Sequence, residues 1–309
     1  MVGPGPRQRE RDVNSGSLAA VFDRLYSQAN LKKLEHGIVA ISALGFLAHL
    51  VHIFLALHLS NPPAIIAAAG KNYLYAIYTP FSFILFYEVL ILISALPQST
   101  SDSIATQYEI VSLIFIRGFF KDIAKMDLGL HLTSTELTPA ILEACAGLLM
   151  FLLVTVFQHA ASKRPRKRPG EAAALEKFSE RKKMISLVLS VVFLWLAASS
   201  LWGFAFQTYR EIYGGAPVLL APPALFYSDV FTVMIFTDVL ILILSLLVSD
   251  RYELVFRNAA FIISTILIRF SLTAEHPYGV LLGVSGMLFG ILTILIYNYN
   301  TRISTAAHG

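Results

Sequence analysis

The sequence predicts an all-α integral membrane protein with eight transmembrane helices, arranged as two parallel four-helix modules with both termini in the cytoplasm. Composition, the length of the apolar runs and an internal repeat lead to this prediction. Of the 309 residues, 56% are hydrophobic and only 14% are charged, and the mean hydropathy is +0.66. A soluble domain has about 25% charged residues, so this composition favours a bilayer.

The apolar runs set the predicted crossings, because about twenty helical residues span a bilayer. The third and seventh runs are the least apolar, since each contains an arginine. The single cysteine, Cys145, lies inside the fourth run, where we expect it to pack as a small apolar residue. The crossings are expected near 36–58, 73–96, 105–124, 138–160, 183–208, 226–248, 255–272 and 279–299.

Lysine and arginine in the loops predict the orientation, because cytoplasmic loops carry an excess of both. The N-terminal tail and the segment 163–183, with nine Lys/Arg against three Asp/Glu, fall on the same side. We therefore expect a multi-pass protein of the cell (inner or plasma) membrane with this basic side inside. Anionic lipid headgroups are the expected partners there. Nucleic acid is not, because topology accounts for the basic charge.

The chain divides into four predicted segments. In the first, Leu18, Phe22 and Leu25 recur at helical spacing, which fits either a helix on the membrane surface or a polar lead-in to the first crossing. The segments are a cytoplasmic tail (1–35), a first four-helix module (36–162), a basic cytoplasmic linker (163–182) and a second four-helix module (183–309).

Four charged residues repeat between the two halves. Y-E-V-L-I-L-I-S-A-L around Glu88 matches T-D-V-L-I-L-I-L-S-L around Asp238, 150 positions later, and Arg117 matches Arg269 after 152 positions. Four crossings per half make the repeat parallel. Helical side chains tilt toward the helix N-terminus, which brings each arginine to its acid. Such a pair either fixes helix register or belongs to a polar path or proton-linked switch.

The charged positions of the second half also carry a resemblance. Residues 231–300 combine Asp238 in an aromatic-aliphatic run, arginines at Arg257 and Arg269, and the acid-histidine pair Glu275-His276. In these positions the segment resembles the phosphate-starvation-inducible E (PsiE) family. The first half matches only through Glu88 and Arg117. The resemblance implies a four-helix inner-membrane protein, here as two fused copies, and it brings no biochemical activity.

Histidines in the first crossing suggest several roles. His49 and His52 are three positions apart, so they could share a metal. His36 and His49 are thirteen positions apart, a spacing that could bracket two haems, and His49 could relay protons to Glu88. Hydrogen bonds between helices are the interpretation we favour. We therefore predict no metal and no other cofactor.

Two further patterns concern helix ends and helix packing. Glu253 and Arg257 are four positions apart, the spacing of a helical salt bridge at the inner end. Small residues let helices approach closely, either within the bundle, between the halves or against another subunit. The last crossing presents such a stripe, formed by Gly279, Gly283, Gly286 and Gly290.

Two functions remain open, and neither is enzymatic. The sequence contains no phosphate-binding glycine loop, no H-E-x-x-H and no G-x-S-x-G, so we do not expect an enzyme. In the first function, which we prefer, an ion or small solute moves along a polar path lined by the two acid–arginine pairs. In the second, the chain is an accessory or structural subunit that docks through its glycine-rich helices, as a homo-oligomer or in a larger membrane complex.

Overall fold

The protein is helical throughout the part that the computed structural model describes. That part comprises residues 18–60, 72–126, 134–163, 172–214, 224–246, 252–275 and 277–306, together with residues 63 and 66. It contains no strand, which confirms the all-α class. The helices are α1 (18–25), α2 (Gln28–His58), α3 (Tyr78–Ala95, preceded by the 3₁₀ helix Tyr73–Ile77), α4 (Thr100–Lys125), α5 (Ser134–Ser162), α6 (Ala172–Gly214), α7 (Ala224–Leu246), α8 (Tyr252–Ser271) and α9 (Tyr278–Ala306).

Seven helices in the described part are long and apolar enough to cross a membrane. They are α2, α3 with its 3₁₀ turn, and α5 to α9, and they indicate a multi-pass membrane protein. The remaining long helix is α4, the third predicted crossing. Its 26 residues are sufficient in length. Its hydropathy is lowered by six charged residues, namely Asp102, Glu109, Arg117, Lys121, Asp122 and Lys125.

The larger core lies between α4, α5, α8 and α9, which we call the central bundle. Tyr108 of α4 packs edge to face on Phe157 of α5 with ring centroids 4.9 Å apart. Phe157 in turn meets Phe261 of α8 at 5.8 Å. Because α4 and α5 precede the basic linker and α8 and α9 follow it, this core is shared between the two sequence halves.

A second core lies between α3, α4, α6 and α7. Ile93 of α3, Phe193 of α6 and Met234 of α7 are fully buried in it. By contrast, α2 packs along α3 and the 3₁₀ helix and leaves most of its apolar side chains exposed. Lipid tails are as apolar as these side chains, so close packing and hydrogen bonds decide how such helices assemble.

The turn between α3 and α4 is defined by its own sequence. Pro97 follows the end of α3, and Ser99 caps α4. The Ser99 hydroxyl accepts from the Asp102 backbone N–H at 3.4 Å and donates to the Asp102 carboxylate. An acid in the first turn also suits the positive end of the helix dipole.

The contacts gather several chain segments at one end of the bundle, which we call the basic end. Ser179 and Lys182 of α6 donate to the backbone carbonyls of Pro97 and Gln98, at 3.3 and 3.1 Å. At the same end Asn298 of α9 donates to the Ala160 carbonyl at 2.7 Å, near the end of α5. These are segments that the loop charges assign to the cytoplasmic side.

Helix α1 is a separate element at the basic end. It ends at a turn before Ser27, whose hydroxyl accepts from Asn30 N–H and caps α2. Phe22 is buried, and the Tyr26 hydroxyl lies 2.6 Å from the Ser190 hydroxyl of α6. Burial raises the pKa of Tyr26 above its ordinary value, so this hydroxyl stays protonated at neutral pH. Three large apolar side chains of α1 are exposed alongside Asp23 and Arg24, which favours the surface-helix interpretation; they are Leu18, Val21 and Leu25.

Two sequence expectations can be compared with the helix bounds and the burial. The basic linker was predicted over 163–182, and it is helical from Ala172, where α6 begins and continues for 43 residues. No proline or glycine interrupts the sequence between 172 and 202, so the helix of the fifth crossing extends into the linker. Cys145 is exposed on α5 rather than packed in the core.

Candidate functional site

The first buried ion pair joins α3 and α4. Arg117 donates through Nη2 to a carboxylate oxygen of Glu88, as the sequence predicts. Both side chains are nearly inaccessible, 11% and 6% exposed. A second acid lies close by, because the Glu143 carboxylate of α5 fills the space beside Gly118, where a Cβ would collide with it.

The second buried ion pair joins α7 and α8. Arg269 Nη1 lies 2.6 Å from Asp238 Oδ2, and the side chains are 4% and 8% exposed. The Thr265 hydroxyl lies 3.3 Å from the same carboxylate oxygen. Arg269 also donates through Nη2 to Gln107 Oε1 of α4 at 3.1 Å. This pair, also predicted from sequence, is therefore tied to a helix of the first half.

A cavity leads from the basic end to Asp238, and we call it the inlet. It encloses about 440 Å³, part of which is open to the outside. Asp238 lies eight residues before the end of α7, which corresponds to about 12 Å along the helix. Apolar side chains cover much of the wall. The polar side chains of the lining are Thr100, Ser103, Gln107, Lys182, Asp238, Ser245, Asn258 and Thr265.

Lys182 is the unexpected member of the inlet. Its residue surface is only 4% exposed, although the sequence suggests a solvated basic linker. The ammonium group donates to the Gln98 carbonyl at 3.1 Å and lies 5.1 Å from the centre of the Phe178 ring. The next residue, Lys183, points to the surface and pairs with Asp23 of α1 at 2.7 Å. One step along the helix thus separates an inlet lysine from a surface lysine.

The predicted histidine candidates do not meet the ion pairs. His49 Nδ1 lies 2.6 Å from the Thr79 hydroxyl of α3, an interhelical hydrogen bond. Thr79 and Glu88 are nine residues apart on one helix, about 14 Å, so the structure does not bring His49 to Glu88. His52 is exposed, and its Nδ1 lies 3.2 Å from the Ala48 carbonyl of its own helix. Among the described residues, no three His, Cys, Asp or Glu side chains form a cluster that could hold a metal ion.

The glycine stripe of α9 faces its own bundle. A Cβ at Gly290 would lie 1.7 Å from the Tyr108 hydroxyl, and one at Gly283 would lie 2.4 Å from Met150 Cε. On the adjoining side of α9, a Cβ added at Gly279 or Gly286 would lie about 3 Å from a backbone carbonyl oxygen of α8. Of the three open interpretations, packing within the bundle and between the halves is the one that the contacts support.

The remaining predicted site residues lie at the two ends of α8. Arg257 lies 4.5 Å from the centre of the Tyr297 ring and donates to Asn258 Oδ1 at 3.1 Å. Glu253 is half-buried one turn earlier, and its pairing with Arg257 stays a prediction. Glu275 is exposed beyond the other end of α8, and His276 lies outside the described residues.

Several residues around the ion pairs are absent from the sequence predictions. They are Gln107, Glu143, Lys182 and Thr265. The sequence did contain one signal that could have identified such residues, because a polar or charged side chain within an apolar helix needs a partner. Gln107 lies in the third apolar run, and Glu143 lies in the fourth. The partner of each could not be assigned, because it lies on a helix that is distant in sequence.

Comparison with protein-family models, with curated proteins and with solved structures found no match. The resemblance to the PsiE family therefore stays a prediction that depends on the charged positions Asp238, Arg257, Arg269, Glu275 and His276.

Proposed function

We propose that the chain crosses the membrane eight times, with α4 as the eighth span and both termini on the cytoplasmic side. Neighbouring helices cover much of α4, which contributes to both cores. Its arginine is neutralised by Glu88 on the adjacent helix. Arg117 faces the bundle interior, where a charge within a span is tolerated, and the exposed Glu109 accepts a hydrogen bond from Gln158 of α5. The loop charges favour the cytoplasm for the basic end, where anionic lipid headgroups would meet the basic segments.

We further propose that the protein moves an ion or small solute through the inlet. The observation that carries this proposal is that the inlet leads from the basic end to a buried acid–arginine pair. A pair that only fixed helix register would need no access from outside. An intramembrane charge that is reached by a cavity is typical of substrate and ion pathways.

The accessory-subunit alternative has less support. It relied on docking through the glycine-rich helix, and those glycines contact α4, α5 and α8 of the same chain. An accessory role would therefore need another surface. Kinship with the PsiE family fits either function, because that resemblance carries no activity.

Vesicles that contain the full chain provide the test. Light scattering would follow the swelling of the vesicles. In potassium chloride, acetate or sulfate, valinomycin carries the potassium, so swelling reports entry of the anion. In the sodium salts a proton carrier balances the charge, so swelling reports entry of sodium. We expect wild-type protein to admit at least one salt faster than empty vesicles. The variant Asp238→Asn/Arg269→Gln should lose this activity, since it removes both charges of the pair together and leaves neither buried without its partner.

The matched control is Asp229→Asn, an exposed acid nine residues earlier on α7. It should behave as wild type. Size-exclusion profiles in detergent would show that each variant is folded. Wild-type vesicles that swell no faster than empty ones in every salt, or a double variant as active as wild type, would disprove transport through the inlet.

A further inference from the structure

The charges around the inlet do not balance. In the described part of the chain, its charged lining side chains are Lys182 and Asp238. Asp238 is already neutralised by Arg269 at 2.6 Å. The ammonium group of Lys182 therefore adds a positive charge to a poorly hydrated cavity, where electrostatic interactions are stronger than in water.

The two amides of the inlet add hydrogen-bond donors. Gln107 Oε1 accepts from Arg269, and Asn258 Oδ1 accepts from Arg257, both at 3.1 Å. Arginine only donates, so the oxygen of each amide must face its arginine. Each amide NH₂ group is therefore turned away from the arginine, and within the described residues neither donates a hydrogen bond to protein.

One oxygen of the Asp238 carboxylate, Oδ2, is already engaged. It receives Arg269 and the Thr265 hydroxyl. Lys182 uses one of its three N–H donors on the Gln98 carbonyl, which leaves two. The inlet thus offers an ammonium group and two amide NH₂ groups. A ligand with several acceptor oxygens and a negative charge would satisfy them, whereas a cation would be repelled by Lys182.

We propose that the inlet binds an oxyanion at Lys182, Gln107 and Asn258, either a small free anion or the phosphate of a lipid headgroup. Charge-assisted hydrogen bonds from ammonium and amide groups give such sites their affinity. A free anion would be the substrate of the transport function proposed above, and in that role the inference rests on the transport function. Binding of the oxyanion at the inlet does not depend on transport.

Isothermal titration of the purified full chain in a non-ionic detergent tests the site. Sodium sulfate and sodium acetate serve as free anions, and dioctanoyl phosphatidylglycerol serves as the lipid, with dioctanoylglycerol, which has no phosphate, as its control. We expect saturable binding of at least one anionic probe at one site per chain. Binding of phosphatidylglycerol alone would assign the site to lipid, and binding of sulfate or acetate would assign it to free anions.

Two variants locate the site. Lys182→Met keeps the apolar stem and removes the charge, and Gln107→Glu keeps an oxygen on Arg269 and removes the donor. Each should weaken binding at least about tenfold, the loss expected for one charge-assisted hydrogen bond. The control Lys183→Met removes the neighbouring surface charge and should leave the affinity unchanged.

The outcomes separate this inference from the transport proposal. The oxyanion site is refuted if no anionic probe binds, or if Lys182→Met and Gln107→Glu both bind as tightly as Lys183→Met. Saturable binding that is lost in the two inlet variants supports the site even when vesicles show no flux, in which case only transport fails. Flux through vesicles without anion binding supports transport and overturns the oxyanion site.

Discussion

Replacing Gly290 with alanine tests how closely α9 packs against the rest of the central bundle. A Cβ at position 290 would lie 1.7 Å from the Tyr108 hydroxyl and 3.0 Å from the Ser264 hydroxyl. These two hydroxyls are 2.5 Å apart and form a buried hydrogen bond between α4 and α8. The Tyr108 ring packs against Phe157, so it has little room to move aside. The added methyl group must therefore displace the ring and disrupt the hydrogen bond.

The expected loss follows from three contributions. Overpacking a filled core costs about 1–3 kcal/mol. A lost hydrogen bond adds about 0.5–1.5 kcal/mol. Alanine favours the helix over glycine by about 0.5–1 kcal/mol, which offsets part of the loss. We expect Gly290→Ala to lower the free energy of unfolding by roughly 2 kcal/mol.

Unfolding in mixed micelles of rising dodecyl sulfate content measures this loss, with fluorescence from Trp195 and Trp202. Gly203→Ala is the matched control, since a Cβ there meets nothing within 4 Å. Adding Tyr108→Phe to Gly290→Ala should restore part of the stability, because the hydroxyl that the methyl group strikes is gone. If Gly290→Ala unfolds at the same dodecyl sulfate fraction as Gly203→Ala, the close approach of α9 to α4 is refuted.

Two further predictions concern the second ion pair and the outer face of α5. Asp238→Asn leaves the guanidinium of Arg269 buried without its carboxylate, so we expect a loss of about 3–5 kcal/mol, most of it recovered when Arg269→Gln is added. The same unfolding titration measures both variants, and a single variant at least as stable as the double one would contradict the pairing. Cys145 is exposed on α5 and should react in vesicles with a membrane-soluble maleimide but not with a charged one. Equal labelling by the charged reagent would place this face of α5 in water.

The two sequence halves differ in the packing of their first helix. Helix α6 packs against both α7 and α3, and its start covers the turn between α3 and α4. Its counterpart α2 packs along α3 and the 3₁₀ helix at the edge of the protein. Lys182 therefore enters the inlet, whereas Lys32, 150 positions earlier in the chain, lies at the exposed start of α2. The second ion pair is tied to the inlet because of this difference.

Much of the fold could be predicted from the sequence because it depends on residues close together in the chain. Apolar runs of sufficient length form helices in a membrane whatever their neighbours, since every backbone polar group must be satisfied within the run. All eight predicted crossings fall on long helices, and seven of these are apolar enough to span. The two ion pairs were also predictable, because a deeply placed charge needs a partner and the repeat left one candidate per half.

By itself, then, the sequence determined that the chain is helical and membrane-spanning, and which buried acid meets which arginine. Only the tertiary structure decided what surrounds those pairs. Gln107 reaches Arg269 across 162 positions, and Lys182 reaches the Gln98 carbonyl across 84. Both contacts depend on which helices pack together, and apolar helices of similar composition offer many packings of similar energy. Side-chain shape settles that choice, through features such as the glycines of α9 that admit the Tyr108 hydroxyl.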